Sequence, residues 1–223
     1  MTRILICVLL LMLGGCATTT PANLSEAKSE LVAYYEDGRY EAEIERIAAS
    51  AENWIRSRAA GPDERLAIVL DIDETAVSNW TRIRLNDFGE FRGGSCDLRW
   101  GPCGALAWEE LAAAPAIEPI RRLSQAAHET GTAVIFISAR PEGRLEATER
   151  LLHAAGYSGW EQLILRPQAA VGEKAALFKA SARRELERSG WTIIANVGDQ
   201  GSDLSGGHAE KTYKLPNPFY FTP

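Results

Sequence analysis

The chain is poor in the residues that would mark it as a zinc, nucleic-acid or membrane-spanning protein. Its three histidines, His128, His153 and His208, are scattered too widely for a zinc site. Its four cysteines are too few and too dispersed for a ligand cluster. A formal charge of -6 comes with no basic block, which argues against a nucleic-acid polymer as partner. The apolar run at residues 4–13 is shorter than the roughly 20 residues a lone spanning helix needs. No internal repeat is visible. What remains is 223 residues with 46% hydrophobic content, enough for one good core with a smaller appendage.

The N-terminus is a targeting segment and stands apart from the fold. Arg3 precedes the apolar run, which ends in Leu13-Gly14-Gly15-Cys16. This ending resembles the bacterial lipoprotein processing site. The resemblance implies a signal peptide over residues 1–15, lipidation of Cys16, and a short Thr/Pro tether over residues 16–23. Ala17, in place of an aspartate, resembles Gram-negative sorting to the outer membrane, so the expected location is a lipid anchor facing the periplasm. Cys7 then leaves with the signal and Cys16 carries lipid. Cys96 and Cys103 remain as an even pair close enough to form a disulfide around a small loop.

From residue 24 to about 58, apolar positions recur at three- and four-residue steps, which predicts two helices separated at Gly38, with Gly61-Pro62-Asp63 ending the second. The organising stretch follows: Leu66-Ala67-Ile68-Val69-Leu70, then Asp71-Ile72-Asp73-Glu74-Thr75. A continuous apolar run ending in two carboxylates reads as a buried parallel strand delivering acids to its carboxyl end, where open α/β sheets bind ligands. A buried carboxylate without a partner is costly, so positive charge is expected nearby. Residues 76–116 interrupt the first strand-to-helix connection. They carry Trp80, Phe88, Phe91, Trp100 and Trp108, which either pack a small core of their own or stack on a ligand. Further on, helices at 117–129, 142–155 and 174–189 alternate with strands at 133–138, 163–165, 191–197 and 211–215. The pattern predicts a doubly wound α/β sheet with helices on both faces.

Polar groups close the strands in a set order: Asp71-x-Asp73, then Ser138, then a lysine, then Gly198-Asp199-Gln200-Gly201-Ser202-Asp203. In these motifs the chain resembles the haloacid-dehalogenase (HAD) phosphohydrolases, and within them the secreted class B and class C acid phosphatases and their plant relatives. Lys214-Leu215-Pro216-Asn217-Pro218 also resembles the plant-type members. The resemblance implies a Rossmann-like sheet, with residues 76–116 as a cap insertion.

A carboxylate can attack phosphorus in line and divide one hard step into two. Asp71 is the candidate nucleophile. A second carboxyl nearby, Asp73, would give a proton to the leaving group and later take one from water. Asp71, Asp199 and the main-chain carbonyl of Asp73 offer hard oxygen ligands suited to Mg²⁺. The resembled motif puts Asp203 behind the ion. Ser138 would donate a hydrogen bond to phosphate, and a lysine would supply point charge. Phe178-Lys179-x-x-x-Arg183 resembles the family's lysine-bearing helix start and points to Lys179, with Lys174 as the alternative. Arg140 either touches phosphate or pairs with an acid. Ala139 and Gly201 depart from residues common among relatives without removing a chemical group.

The leading reading is a Mg²⁺-dependent acid phosphatase acting on small phosphomonoesters, nucleotides or aryl phosphates. A phosphotransferase would need an acceptor site that the sequence does not reveal. The export signal and the long insertion count against a phosphoryl-accepting receiver domain, and the complete acid set counts against a non-catalytic binding lipoprotein. Homo-oligomerisation is left open.

Overall fold

The computed structural model describes residues 22–61 and 65–222. The expected signal peptide, the lipidated Cys16 and most of the tether therefore lie outside the described residues. So do Pro62 and Asp63 of the predicted helix stop.

Two N-terminal helices are present, α1 (Leu24–Glu36) and α2 (Arg39–Ala59), and Gly38 breaks them in the left-handed conformation at φ 84°. Asn23 caps α1 by accepting from the main-chain N–H of Ser25 at 3.0 Å. Then come β1 (Leu66–Leu70), the insertion helices α3 (Trp80–Leu85) and α4 (Ala105–Leu111), and α5 (Glu118–Glu129). The chain continues through β2 (Ala133–Pro141), α6 (Leu145–Ala154), β3 (Gln162–Arg166) and α7 (Ala175–Arg188). It ends with β4 (Thr192–Gly198), a four-residue helix α8 (Gly201–Leu204), which the sequence reading did not anticipate, and β5 (Lys211–Lys214).

All five strands are parallel, in the order β3-β2-β1-β4-β5. Strand β1 is central because every one of its side chains is buried and therefore needs cover on both faces. Alternation along it divides the core in two. Ile68 and Leu70 face α2, α5 and α6, whereas Ala67 and Val69 face α7 through Phe178 and Leu186. Each of the fully buried Ile68 and Leu70 contributes roughly 2 kcal/mol by leaving water. From β1 the connections run to β2 and β3 on one side and later to β4 and β5 on the other, so the crevice between the strand ends of β1 and its neighbours is the ligand edge.

β2 runs three residues beyond the expected Ser138, to Pro141, with a register shift against β3 between Ser138 and Pro141. The insertion is tied by the disulfide Cys96–Cys103. Most of its aromatic residues pack inward or outward, away from the ligand edge. Trp80 stacks on Tyr35 of α1 with ring centroids 3.9 Å apart and touches Phe219 of the C-terminal tail, while Trp100 is 82% exposed. Among the described residues, no helix is long and apolar enough to cross a membrane.

Candidate active site

The carboxyl ends of β1, β2 and β4 open into a cavity of about 410 Å³. Asp71, Asp73, Ser138, Arg140, Lys179, Asp199 and Asp203 all line it, so the structure gathers every strand-end residue singled out in the sequence. Of the two candidate lysines, the favoured Lys179 is buried in the cavity wall, while the alternative, Lys174, is the exposed N-cap of α7. None of Trp80, Phe88, Phe91, Trp100 and Trp108 lines the cavity. Its aromatic wall is Tyr220 and Phe221 of the C-terminal tail.

Asp71 follows directly from β1, and its N–H bonds to Val197 O of β4 at 3.0 Å, which fixes its height at the sheet edge. Asp199 follows β4. Gly198 before it has no freedom to change, because a Cβ there would lie 2.4 Å from the Cβ of Asp203. That close approach folds Asp203 back beside Asp199. One carboxylate oxygen from each of Asp71, Asp199 and Asp203 lies within 4.8 Å of the others. Lys179 Nζ donates to Asp71 Oδ1 and, at 2.6 Å, to Asp203 Oδ1. One turn along the same helix face, the fully buried Arg183 donates to main-chain carbonyls of Asp203, Ser205 and Gly207, and so holds the loop behind Asp203.

Three buried carboxylates thus lie together with one ammonium, which donates to two of them. Burial, with Asp203 and Asp199 adding repulsion against the pull of Lys179, pushes Asp71 well above the usual carboxylate range; burial and Asp203 raise Asp199. Burial alone would lower Lys179, but Asp71 and Asp203 outweigh it and keep the ammonium charged. The cluster is short of positive charge and built of hard oxygens. That donor set fits a divalent metal ion.

Asp73 is set differently. Arg140 clamps it through Nε to Oδ2 at 2.9 Å and Nη2 to Oδ1 at 2.7 Å, while Asn79 Nδ2 donates to Oδ1 at 2.9 Å. Burial would raise the Asp73 carboxyl, yet Arg140, Asn79 and Arg82 together hold it at about 2. The remaining Arg140 nitrogen, Nη1, is buried without a hydrogen-bond partner among the described residues, an orphan donor on a residue that lines the cavity. Ser138 is buried beside it and accepts from Arg140 N–H at 3.3 Å.

Several residues that hold the acids escaped the sequence reading. Asp199 receives Thr75 Oγ1 at 3.0 Å on one oxygen, and Gln200 Nε2 at 2.8 Å and Asn217 Nδ2 at 2.7 Å on the other. Lys214 Nζ donates to the Asp199 carbonyl. Glu74 turns the chain after Asp73 at φ 54° and accepts from the Tyr220 hydroxyl and the Asn79 N–H. Burial, then Asp73 and Asp199, push Glu74 up to about 8 despite those bonds. Glu74, Thr75 and Gln200 lie inside the two strand-end motifs, and Lys214 and Asn217 inside the Lys214–Pro218 resemblance, whereas Tyr220 and Asn79 had no motif to point at them.

A parallel five-stranded sheet carrying its acids at the ends of β1 and β4 is the HAD Rossmann-like plan. A family profile described as HAD superfamily, subfamily IIIB (Acid phosphatase) matches residues 16–223. The chain is 32% identical over 186 residues to "Acid phosphatase 1" of Solanum lycopersicum, covering 82% of this chain and 69% of that one. It is 26% identical over 217 residues to "Vegetative storage protein 1" of Arabidopsis thaliana, covering 94% and 77%. The class C acid phosphatase of Bacillus anthracis superposes with a TM-score of 0.68 at 22% identity, over 89% of this chain and 85% of that one. The chain belongs to the HAD subfamily IIIB acid phosphatases, and is accordingly a phosphomonoesterase.

Proposed function

We propose that the chain is a Mg²⁺-dependent acid phosphatase that hydrolyses small phosphomonoesters, nucleotides or aryl phosphates, through an aspartyl phosphate on Asp71. The observation that carries this reading is the carboxylate cluster of Asp71, Asp199 and Asp203 around Lys179, beneath a cavity edged by Ser138 and the orphan donor of Arg140. A cavity of about 410 Å³ suits a small ester.

Asp71 Oδ attacks phosphorus, the P–O ester bond breaks, and its electron pair leaves with the alcohol oxygen, which takes a proton from Asp73. Asp73 carries that proton once the phosphoryl oxygens draw the Arg140 guanidinium away from it, since in the free site Arg140 holds the carboxyl at about 2. Water then attacks the acyl phosphate and gives a proton back to Asp73, releasing inorganic phosphate and the Asp71 carboxylate. Ser138 and Arg140 Nη1 donate to phosphoryl oxygens, and Lys179 keeps Asp71 oriented and offsets the charge of the cluster. Asp71, Asp199 and the main-chain carbonyl of Asp73 would hold Mg²⁺, with Asp203 behind them. Bound there, the ion's charge would offset repulsion between the phosphoryl oxygens and Asp71. The test is hydrolysis of p-nitrophenyl phosphate and nucleoside monophosphates by the purified domain with Mg²⁺ or with EDTA. Turnover abolished by EDTA and restored by Mg²⁺ is expected; turnover indifferent to both refutes the metal.

Lipid anchoring through Cys16 in the outer membrane is part of the same proposal, resting on the Leu13-Gly14-Gly15-Cys16 sequence. A Cys16→Ser protein that still partitions with membranes would refute it.

A further inference from the structure

Asn79 stands at the N-cap of α3, the position where an asparagine ordinarily accepts from the helix's free N–H groups. Its side chain makes no cap bond. It is 3% exposed and makes three side-chain hydrogen bonds elsewhere, using both of its donors. Nδ2 donates to Asp73 Oδ1 at 2.9 Å and to Glu74 Oε2 at 3.2 Å, and Oδ1 accepts from Trp108 Nε1 at 2.7 Å.

The chemistry of these partners settles which way the amide faces. An indole N–H can only donate, so it must meet the amide oxygen; the amide nitrogen is then left for the two acids. Trp108 is itself 4% exposed, on α4 within the insertion, and Asn79 is the sole acceptor of its N–H among the described residues. Glu74 is tied in turn to the Asn79 main chain and to Tyr220. Asp73 therefore has two holders. Arg140 belongs to the phosphate-facing wall, whereas Asn79 belongs to a buried network anchored in the insertion and the tail.

We propose that Asn79 is the positioning residue that aims Asp73 at the leaving-group oxygen, and that Trp108 locks Asn79 in the orientation this requires. The inserted segment then serves the departure of the alcohol as well as covering the cavity. An amide suits this post because, being neutral, it can donate to Asp73 whether or not the acid carries a proton. The inference rests on the acid–base role given to Asp73 above.

The test is kcat/KM, which reports leaving-group departure, across phosphate esters running from dinitrophenyl through p-nitrophenyl and phenyl to an alkyl ester. Wild type is compared with Asp73→Asn, Asn79→Ala and Trp108→Phe. An activated ester needs little proton donation and an alkyl ester needs it most. Asp73→Asn should lose about 10²–10⁴-fold on the alkyl ester and far less on the dinitrophenyl ester. Asn79→Ala and Trp108→Phe should show the same slope at smaller amplitude, about 10–100-fold on the alkyl ester. Trp108→Phe keeps an aromatic but smaller side chain and removes the N–H donor; packing loss alone lowers every ester equally, so the slope across the series decides the matter should Asn79→Ala fail to fold. Equal losses on every ester, or no loss, would mean that the pair only supports the fold and would overturn the inference. If Asp73→Asn itself is flat across the series, the acid–base role falls; if it slopes and the other two variants do not, only the positioning claim falls.

Discussion

Asp71 and Asp199 leave neighbouring strands directly, and Arg140, Lys179, Thr75 and Gln200 hold the acids from the same sheet edge and α7, whereas a second set of orienting side chains comes from elsewhere. Asn79 and Trp108 belong to the insertion, and Asn217 and Tyr220 to the tail beyond β5. The strand ends supply reactive groups that a sheet places side by side at no extra cost, since β1 and β4 are hydrogen-bonded up to Leu70 and Val197. The insertion and tail supply neutral donors, two amides, an indole and a phenol, which fix direction without adding charge to a cluster already crowded with carboxylates. Reactive groups and their charged clamps are thus built at the sheet edge and α7, and the neutral part of their aim in the insertion and tail.

If that division is right, the strand-end groups should fail most completely. Asp71→Asn is expected to lose on the order of 10⁴-fold or more in kcat, read with p-nitrophenyl phosphate, because an amide cannot form the acyl phosphate assigned to Asp71. A tail residue should cost less and in a different quantity. Asn217→Ala removes one of the donors on Asp199 and should weaken Mg²⁺ affinity about 10–100-fold, seen as a shifted activation midpoint with kcat at saturating Mg²⁺ largely recovered. A comparable fall in kcat at saturation would break the comparison. The disulfide tests whether the insertion is an independently braced unit: Cys96→Ser with Cys103→Ser, which opens a loop with a sequence separation of 7, should lower stability by about 2 kcal/mol in denaturant unfolding. At the small end, Lys174→Ala should change kcat/KM by less than about twofold, since Lys174 is exposed at the start of α7.

The same division explains what could be read from the residues beforehand. The run ending in Asp71-Ile72-Asp73 and the Gly198–Asp203 segment are local patterns: buried strand, abrupt polar end, tight turn. Apolar runs with abrupt polar ends expose the strands, and three- and four-residue spacing exposes α1 and α2. Lys179 was separable from Lys174 only through the resemblance of the Phe178–Arg183 stretch, because both lysines lie near one helix start and differ in burial, not in local sequence. Trp108 looked like an ordinary cap aromatic because its N–H finds Asn79 29 residues away in the chain. Tyr220 reaches Glu74 across 146 residues. Single polar side chains acting over such separations leave no periodic trace, so sequence alone leaves the insertion's aromatic residues open between a small core and a ligand platform, while the cavity's aromatic wall is Tyr220 and Phe221.

The most direct test of a nucleophilic Asp71 is acid quenching during turnover, followed by peptide mass spectrometry on wild type, Asp71→Asn and Asp73→Asn. In Asp73→Asn the missing base slows release of the acyl phosphate and lets it accumulate. A phosphoryl group on the peptide carrying Asp71 in the first and third proteins, and absent from the second, is the predicted result. A phosphoryl group on any other residue, or Asp71→Asn turning over at the wild-type rate, would contradict it.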